Sequence, residues 1–360
     1  MKISIESRVF RFKQPAGTSR GVYTTRLSHF VTIEKDGVKG VGECATLPDL
    51  SCDAIENYEE VLRGFCKKVE ERGEIPYEEL RPYPSMLFGF ETAMAQIAAG
   101  GSTALFDTPF SRGEEGIKIN GLVWMGSYEE MMKRMEEKLE AGFKCIKIKI
   151  GAIDFEKELS LIRSIRERWN SREMELRTDA NGAFNVGNVM ARLDALAKFD
   201  IHSIEQPIKA GAWDLMGDIC QRSPIPVALD EELIGVNEPW RKQEMLERAR
   251  PHYIIIKPSL HGGMRGADEW IETAMEMGIG SWVTSALESN VGLNAIAQYT
   301  ARKYGPNVVM HQGLGTGMLF EDMGITYLGP VDGHNIKQPE LQTFRSQATL
   351  MESRCYPESA

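Results

Sequence analysis

Short apolar segments alternate with amphipathic helical patterns from about residue 116 onward, and this alternation constrains the fold more than any other feature. Most of these segments are continuously apolar, which is typical of strands buried on both faces. The predicted strands lie at residues 117–123, 145–150, 175–178, 203–205, 227–229, 253–256, 281–284 and 308–311. Eight strands that alternate with helices predict an α/β fold with a TIM-like (β/α) barrel. A doubly wound open sheet is the alternative, but no GxGxxG turn follows a first strand.

The N-terminal part of the chain follows a different pattern. Residues 28–43 read as two strands around a Lys-Asp-Gly turn, which is a hairpin signal. Residues 53–70 and 88–99 read as helices. Strands followed by helices predict an α+β domain. We place this domain at residues 1–105 and the barrel at residues 106–320.

One helix of the barrel region is marked at both ends. Ser127 and Glu130 form a capping-box pattern, and Gly142 stands at the exit. Met131 and Met135 recur on one face between these signals. The pattern predicts an amphipathic helix between residues 127 and 142.

The bulk composition suits an enzyme with one large and one smaller domain. Apolar residues make up 42% of the 360 residues and charged residues 26%, which excludes a disordered chain. The net charge of −10 offers no basic stripe for a phosphate backbone, so we expect no nucleic-acid partner. The start of the sequence lacks the apolar core of a signal peptide, and no apolar run approaches the ~18 residues of a membrane span. The cysteines form no CxxC pair. We therefore expect no membrane partner and a cytoplasmic location.

Polar residues recur once per barrel strand, at or just after the strand end. They are Lys149, Asp179, Glu205, Asp230, Lys257 and Ser285. The steps between them are 30, 26, 25, 27 and 28 residues, which is about one βα unit each. In a barrel, this recurrence places the side chains on the C-terminal rim, where the active sites of such barrels lie.

Three of these residues are carboxylates on neighbouring strands. Asp179, Glu205 and Asp230 cannot lie close together in the ionised form unless a cation intervenes. Oxygen ligands without histidine or cysteine favour a hard ion, either Mg²⁺ or Mn²⁺. Capping of the following helices is the alternative interpretation of such residues, but three carboxylates in register between lysines favour the metal site.

The lysines indicate the type of reaction. Lys147 and Lys149 are two positions apart, so both lie on the same face of their strand, which in a barrel is the interior. Repulsion between the two, partial burial and a nearby Mg²⁺ are expected to lower a lysine pKa towards the neutral form that a base needs. Lys257 is predicted to face Lys149 across the opening. Together these residues predict removal of a proton α to a carboxylate, with a metal ion stabilising the enediolate.

Six segments resemble, in order and spacing, the muconate-lactonizing branch of the enolase superfamily: KIKIG, RTDANGAF, IEQPI, ALDEEL, IIIKPSLHGG and SALESNVGLNAIA. The resemblance covers residues 1 to about 320. Through INGLVWMG and SWVTSALESNVGLNA it is closest to the o-succinylbenzoate synthases of menaquinone biosynthesis. It implies a capping domain over a (β/α)7β barrel. It also implies the syn-dehydration of 2-succinyl-6-hydroxy-2,4-cyclohexadiene-1-carboxylate, a small-molecule carboxylate, to o-succinylbenzoate.

The resemblance also implies a role for each candidate residue. Asp179, Glu205 and Asp230 would bind Mg²⁺, with Mn²⁺ as a substitute. Lys149 would take the α-proton and then protonate the departing hydroxyl, while Lys257 would stabilise the enediolate as a cation. Ser285 and Ser289 would hold the succinyl carboxylate. A loop at residues 19–24 would close over the site from the cap. The predicted substrate contacts are Lys147, Arg177, Asn181, Ser285 and Ser289.

The C-terminal segment departs from the family. A short segment that returns to the cap is expected after the barrel, whereas residues 319–336 look like an internal stretch of 1-deoxyxylulose-5-phosphate synthase. We treat residues 321–360 as an atypical tail with no activity of its own. The sequence thus identifies no segment that anchors the cap.

Two other functions remain open. N-succinylamino acid racemisation or dipeptide epimerisation would use the same pair of lysines. The sequence from His311 to Gly315 lacks the DxD motif expected of a dipeptide epimerase at strand eight. A barrel that only binds an acidic metabolite is a third possibility, against which the intact lysines and ligands argue. The sequence leaves the oligomeric state open.

Overall fold

The computed structural model describes residues 1–18, 21–112, 114, 116–305, 310–316 and 319–321. These residues form an antiparallel N-terminal sheet with helices, followed by a parallel sheet that is curled into a barrel. The predicted α/β class, with a TIM-like barrel and an N-terminal cap, is confirmed. The predicted loop at 19–24 lies partly outside the described residues, and the predicted tail lies outside them after residue 321. No helix within the described ranges has the length and apolar character needed to cross a membrane.

The cap begins with a three-stranded sheet of order β1-β2-β3. Asp36 and Gly37 connect β2 to β3, and both have positive φ, 53° and 79°, as a two-residue hairpin turn requires. The predicted hairpin is therefore confirmed. The strands of the cap are β1 Lys2–Thr18, β2 Gly21–Lys35 and β3 Val38–Cys44, and its helices are α1 Tyr58–Arg72, α2 Tyr77–Leu80 and α3 Pro84–Ala98.

Helix α3 packs unusually closely against β3. A Cβ atom at Gly42 would lie 1.8 Å from the carbonyl oxygen of Gly89, and one at Gly40 would lie 2.0 Å from that of Ala93. Only glycine permits this approach. The position of α3 allows its Glu91 to accept hydrogen bonds from backbone N–H groups of the barrel.

In the described part of the chain, the barrel contains seven parallel strands that neighbour one another in chain order. Gln312 and Gly313 close it, because Gln312 bridges to Ile119 before β4 and Gly313 bridges to Thr284 after β10. The position of the eighth strand is therefore filled, although residues 308 and 309 of the predicted strand lie outside the described part. The seven strands are β4 Gly121–Val123, β5 Cys145–Lys149, β6 Glu175–Asp179, β7 Ser203–Glu205, β8 Val227–Leu229, β9 Tyr253–Ile256 and β10 Gly280–Val283.

Helices surround the barrel and bury the outward faces of the strands. The capping box predicted for the helix after Ser127 is present. Glu130 N donates to Ser127 Oγ at 3.2 Å, and Ser127 N donates to Glu130 Oε2 at 2.8 Å. Ile146 and Ile148 of β5 belong to the apolar core. The helices of this region are α4 Pro109–Arg112, α5 Tyr128–Glu140, α6 Phe155–Arg166, α7 Val189–Ala197, α8 Trp213–Arg222, α9 Pro239–Ala249, α10 Gly263–Glu276 and α11 Asn290–Tyr304.

The chain returns to the cap at residues 319–321. Phe320 forms an antiparallel bridge with Phe12 of β1 and is only 2% exposed. Its ring centroid lies 5.2 Å from that of Phe10 and 4.6 Å from that of Phe12. The returning segment that the sequence did not identify is therefore present, and it begins within the stretch that resembles another enzyme.

Candidate active site

The barrel strands bring the predicted strand-end residues together. Lys149 of β5 pairs directly with Asp179 of β6, and Asp179 pairs with Glu205 of β7. Asp230 and Lys257 follow the ends of β8 and β9. All five line one cavity, which opens to solvent at its mouth. Lys147, Asn181 and Ser285 line the same cavity.

Apolar side chains from both domains form the cavity walls. Leu47 and Leu50 reach it from the cap, and Leu122, Trp124 and Trp282 reach it from the barrel. The cavity therefore combines a charged floor with an apolar rim, and the cap contributes part of that rim.

The lysines contact the carboxylates directly. Lys147 Nζ donates to Glu205 Oε2 at 2.5 Å and lies 3.0 Å from Asp179 Oδ2. Lys149 Nζ lies 3.4 Å from Asp179 Oδ2 and donates to Asn181 Oδ1 at 2.8 Å. Lys149 Nζ also lies 5.6 Å from the centroid of the Trp124 ring.

Lys257 is paired in the same way, by a hydrogen bond to Asp230 Oδ2. Burial is the largest influence and disfavours the charged form of Lys257, but Asp230, Glu231 and Glu205 together raise the pKa of this lysine. Burial likewise opposes the charge of Lys147, and Asp179 and Glu205 raise its pKa above the usual range. The pKa values of Lys147 and Lys257 are thus raised because each ammonium group lies against carboxylates, and the lowering expected of a lysine beside Mg²⁺ stays a prediction.

The pKa values of the three carboxylates are shifted in different directions. Burial and the neighbouring Asp179 raise the pKa of Glu205 well above its usual value. Burial is the largest influence on Asp179 and Asp230 and opposes their ionisation, but the neighbouring positive charges together lower the pKa of each, with Lys147 the main one at Asp179 and Lys257 at Asp230. The site therefore needs more positive charge than its lysines supply if all three carboxylates are to be ionised.

The donor set fits a hard divalent cation. All three side chains offer carboxylate oxygens, the ligands that Mg²⁺ prefers. Asp230 Oδ1 is buried without a hydrogen-bond partner, and Asp179 Oδ2 accepts no hydrogen bond of good geometry. No choice of one oxygen from each carboxylate brings all three within 4.8 Å of one another. Because Lys147 Nζ contacts both Asp179 and Glu205, binding an ion there would require this lysine to move.

Arg177 does not reach the cavity. It is two residues before Asp179 on β6, one layer deeper in the barrel. Its Nε donates to Glu175 Oε1 at 2.7 Å, its Nη1 donates to the His311 carbonyl oxygen at 2.9 Å, and its guanidinium lies 4.3 Å from the centroid of the Trp282 ring. The structure thus places Arg177 beneath the floor of the cavity and not in its lining.

Ser289 also lies outside the cavity lining. Its Oγ donates to Glu43 Oε2 of the cap at 2.6 Å and caps helix α11 by accepting from Val291 N. Ser285, by contrast, lines the cavity, and its Oγ lies 2.5 Å from Thr316 Oγ1. Of the two predicted serines, the structure places only Ser285 at the site.

Glu231 lines the cavity but was not among the predicted site residues. Its Oε1 accepts a hydrogen bond from Asn181 Nδ2 at 2.9 Å, and its Oε2 is buried without a partner. Burial, Asp230 and Asp179 raise its pKa to about 7. Its place directly after Asp230 at a strand end was the signal that could have identified it.

Comparisons with known proteins show the family to which the chain belongs. The family model described as "Enolase C-terminal domain-like" matches residues 130–333. The o-succinylbenzoate synthase of Desulfotalea psychrophila is 43% identical over 351 residues, which cover 89% of this chain and 94% of that protein. The crystal structure of MenC from the same species superimposes with a TM-score of 0.78 at 38% identity and covers 92% of this chain and 97% of that one.

More distant relatives include enzymes of a second activity. The L-amino acid-D/L-Glu epimerase of Francisella philomiragia is 25% identical over 280 residues, which cover 73% of this chain and 76% of that protein. The o-succinylbenzoate synthase structure from Thermosynechococcus elongatus, complexed with Mg in its active site, shares the fold at 20% identity with a TM-score of 0.69 and covers 87% of this chain and 92% of that one. The extent of these matches and the 43% identity show that the chain belongs to the enolase superfamily and, within it, to the family of the o-succinylbenzoate synthases.

Proposed function

We propose that the protein is a lyase that dehydrates 2-succinyl-6-hydroxy-2,4-cyclohexadiene-1-carboxylate to o-succinylbenzoate. One observation carries the proposal: Lys149 and Lys257, four strands apart, line one cavity with three buried carboxylates on the strands between them. The relative that is 43% identical is an o-succinylbenzoate synthase, which supports the same reaction.

Lys149 is the proposed base. In its neutral form it would remove the proton α to the substrate carboxylate and then deliver that proton to the departing hydroxyl. One C–H and one C–O bond would break, a C=C bond would form to complete the aromatic ring, and the hydroxyl would leave with the transferred proton as water. Both transfers occur on one face of the ring, so one residue can perform both. Lys257 would stay charged beside the developing negative charge, and its raised pKa supports this role.

Mg²⁺, or Mn²⁺ as a substitute, held by Asp179, Glu205 and Asp230, would supply positive charge to the substrate carboxylate while the proton leaves. The chain's part is to present three carboxylates from adjacent strands and to keep water away with the apolar rim. The magnesium complex of the Thermosynechococcus elongatus enzyme supports this assignment.

The succinyl carboxylate is proposed to bind at the hydroxyl groups of Ser285 and Thr316, which lie together in the cavity wall. Lys147 and Asn181 are the further proposed contacts, because both line the cavity beside the proposed metal ligands. Ser289 and Arg177 are not included, since neither lines the cavity and the Ser289 hydroxyl bonds to Glu43.

A second candidate is racemisation of N-succinylamino acids or epimerisation of dipeptides. The two lysines in one cavity favour it, since such a reaction needs two bases. The described residues 310–316 contain no carboxylate that could hold the amino group of a dipeptide, which argues against epimerisation.

The test is to measure o-succinylbenzoate formation and N-succinylamino acid racemisation with the same preparation, before and after chelation with EDTA. We expect dehydration to dominate, to stop after chelation and to return with Mg²⁺. Racemisation without measurable dehydration would instead favour the second candidate.

The cysteines within the described ranges are all free thiols, most of them buried. This supports the further proposal that the enzyme works in a reducing compartment such as the cytoplasm.

A further inference from the structure

The turn after β10 forms one wall of the cavity and has a strained backbone. Ser285, Ala286 and Leu287 line the cavity there. Leu287 has φ +64°, a left-handed conformation that is unfavourable for a residue with a side chain. Such a conformation persists only where surrounding groups hold it. The groups that hold this turn therefore influence the shape of the cavity.

Arg26 of cap strand β2 holds the turn from outside the cavity. Its side chain is buried, and Nη1 donates to the carbonyl oxygen of Ala286 while Nη2 donates to that of Ala45 at 3.0 Å. The Ala286 N–H in turn donates to Glu288 Oε2 at 2.8 Å. Both backbone polar groups of Ala286 are thus bonded to charged side chains, and one of these belongs to the cap.

Glu43 of cap strand β3 holds the other end of the turn. It is buried and accepts hydrogen bonds from Ser289 N at 3.0 Å, Ser289 Oγ at 2.6 Å and Gly292 N at 3.0 Å. These donors lie at the start of α11, directly after the turn. The cap therefore contacts both ends of the segment from residue 285 to 292.

We propose that Arg26 is a positioning residue for substrate binding, which acts through the turn and does not touch the substrate. Removing the guanidinium would leave the Ala286 carbonyl without its buried donor and would take away the cation that faces Glu288 and Glu43. The strained turn would then relax, and the Ser285 hydroxyl would lose its position in the wall. The identity of the substrate in this proposal rests on the proposed function.

The proposal is tested with Arg26→Met, which removes the donors and the charge, and with Arg26→Lys, which keeps the charge but cannot reach two carbonyl groups. The control is Arg81→Met. Arg81 is also a largely buried cap arginine that contacts the barrel, through the Asn237 carbonyl at 3.1 Å and Glu269 at 3.0 Å, but it does not line the cavity. The readouts are KM and kcat for dehydration, and the hydrogen-exchange rates of a peptide that covers residues 285–293.

We expect Arg26→Met to raise KM on the order of tenfold, with a smaller change in kcat and faster exchange of that peptide. Arg26→Lys is expected to give a severalfold rise in KM with an intermediate exchange rate. Arg81→Met is expected to lower the melting temperature and leave KM and the exchange of residues 285–293 unchanged.

Wild-type KM and exchange in Arg26→Lys would overturn the proposal even if Arg26→Met does not fold. Equal effects of the Arg26→Met and Arg81→Met substitutions would also overturn it, because the role would then be general stability. The exchange measurement needs no substrate. A wild-type protein that forms no o-succinylbenzoate would therefore refute the proposed function, while the exchange rates would still decide the role of Arg26.

Discussion

Replacing Phe320 with alanine tests how the cap is attached to the barrel. The ring is 2% exposed and packs against Phe10 and Phe12, in a cluster that also contains Leu47 and Leu287. Truncation of a buried phenylalanine costs about 3–5 kcal/mol of unfolding free energy. The neighbouring aromatic pairs, worth ~0.5–1.5 kcal/mol each, are part of that cost. Because Leu47 and Leu287 also line the cavity, we expect KM to rise as well.

The assay is urea unfolding followed by tryptophan fluorescence, beside steady-state kinetics. Val9→Ala is the matched control, because Val9 lies on β1, the strand of Phe10 and Phe12, but its side chain is 60% exposed. Its truncation should change the unfolding free energy by less than about 0.5 kcal/mol. A loss below about 1 kcal/mol in Phe320→Ala, with unchanged KM, would show that the returning segment does not anchor the cap.

Three further outcomes are expected. Asp230→Asn should weaken Mg²⁺ binding on the order of tenfold or more in calorimetry and leave the far-ultraviolet circular dichroism unchanged. Lys257→Arg keeps a cation and should retain part of the dehydration while losing any racemisation, which a chiral assay would detect. Burial raises the pKa of Glu91 to about 8 despite hydrogen bonds from Met264 N and Arg265 N. The folded state therefore binds the proton more tightly than the unfolded state. The free energy of unfolding should then fall as the pH rises from about 4.5 to 8. Glu91→Gln should flatten that fall in a series of urea titrations, and an unchanged slope would contradict the assignment.

The strands and the floor of the cavity could be predicted from the sequence because their signals are local. An apolar run marks each strand, and alternation along the strand decides which side chains face the interior. Lys149, Asp179 and Glu205 were therefore predicted on adjacent strands, where the structure pairs them. The helix capped by Ser127 was predicted for the same reason, since its capping box spans a single turn.

Contacts between distant parts of the chain could not be predicted in this way. The motif that contains Ser289 predicts a substrate contact. In the structure, however, the Ser289 hydroxyl bonds to Glu43, which lies 246 residues earlier in the chain. Arg177 shares the interior face with Asp179 but lies two residues, about 6–7 Å, deeper along the strand. The alternation pattern predicts the face of a strand but not which layer reaches the ligand.

The central claim is that Lys149 is the base of a dehydration reaction, and a single-turnover measurement with Lys149→Ala tests it most directly. Lys144→Ala is the matched control, because Lys144 is an exposed lysine immediately before the same strand. With binding of o-succinylbenzoate confirmed for each variant, we expect Lys149→Ala to lose at least about a thousandfold in the rate of dehydration and Lys144→Ala to match the wild type. Dehydration by Lys149→Ala within about tenfold of the wild-type rate would contradict the account.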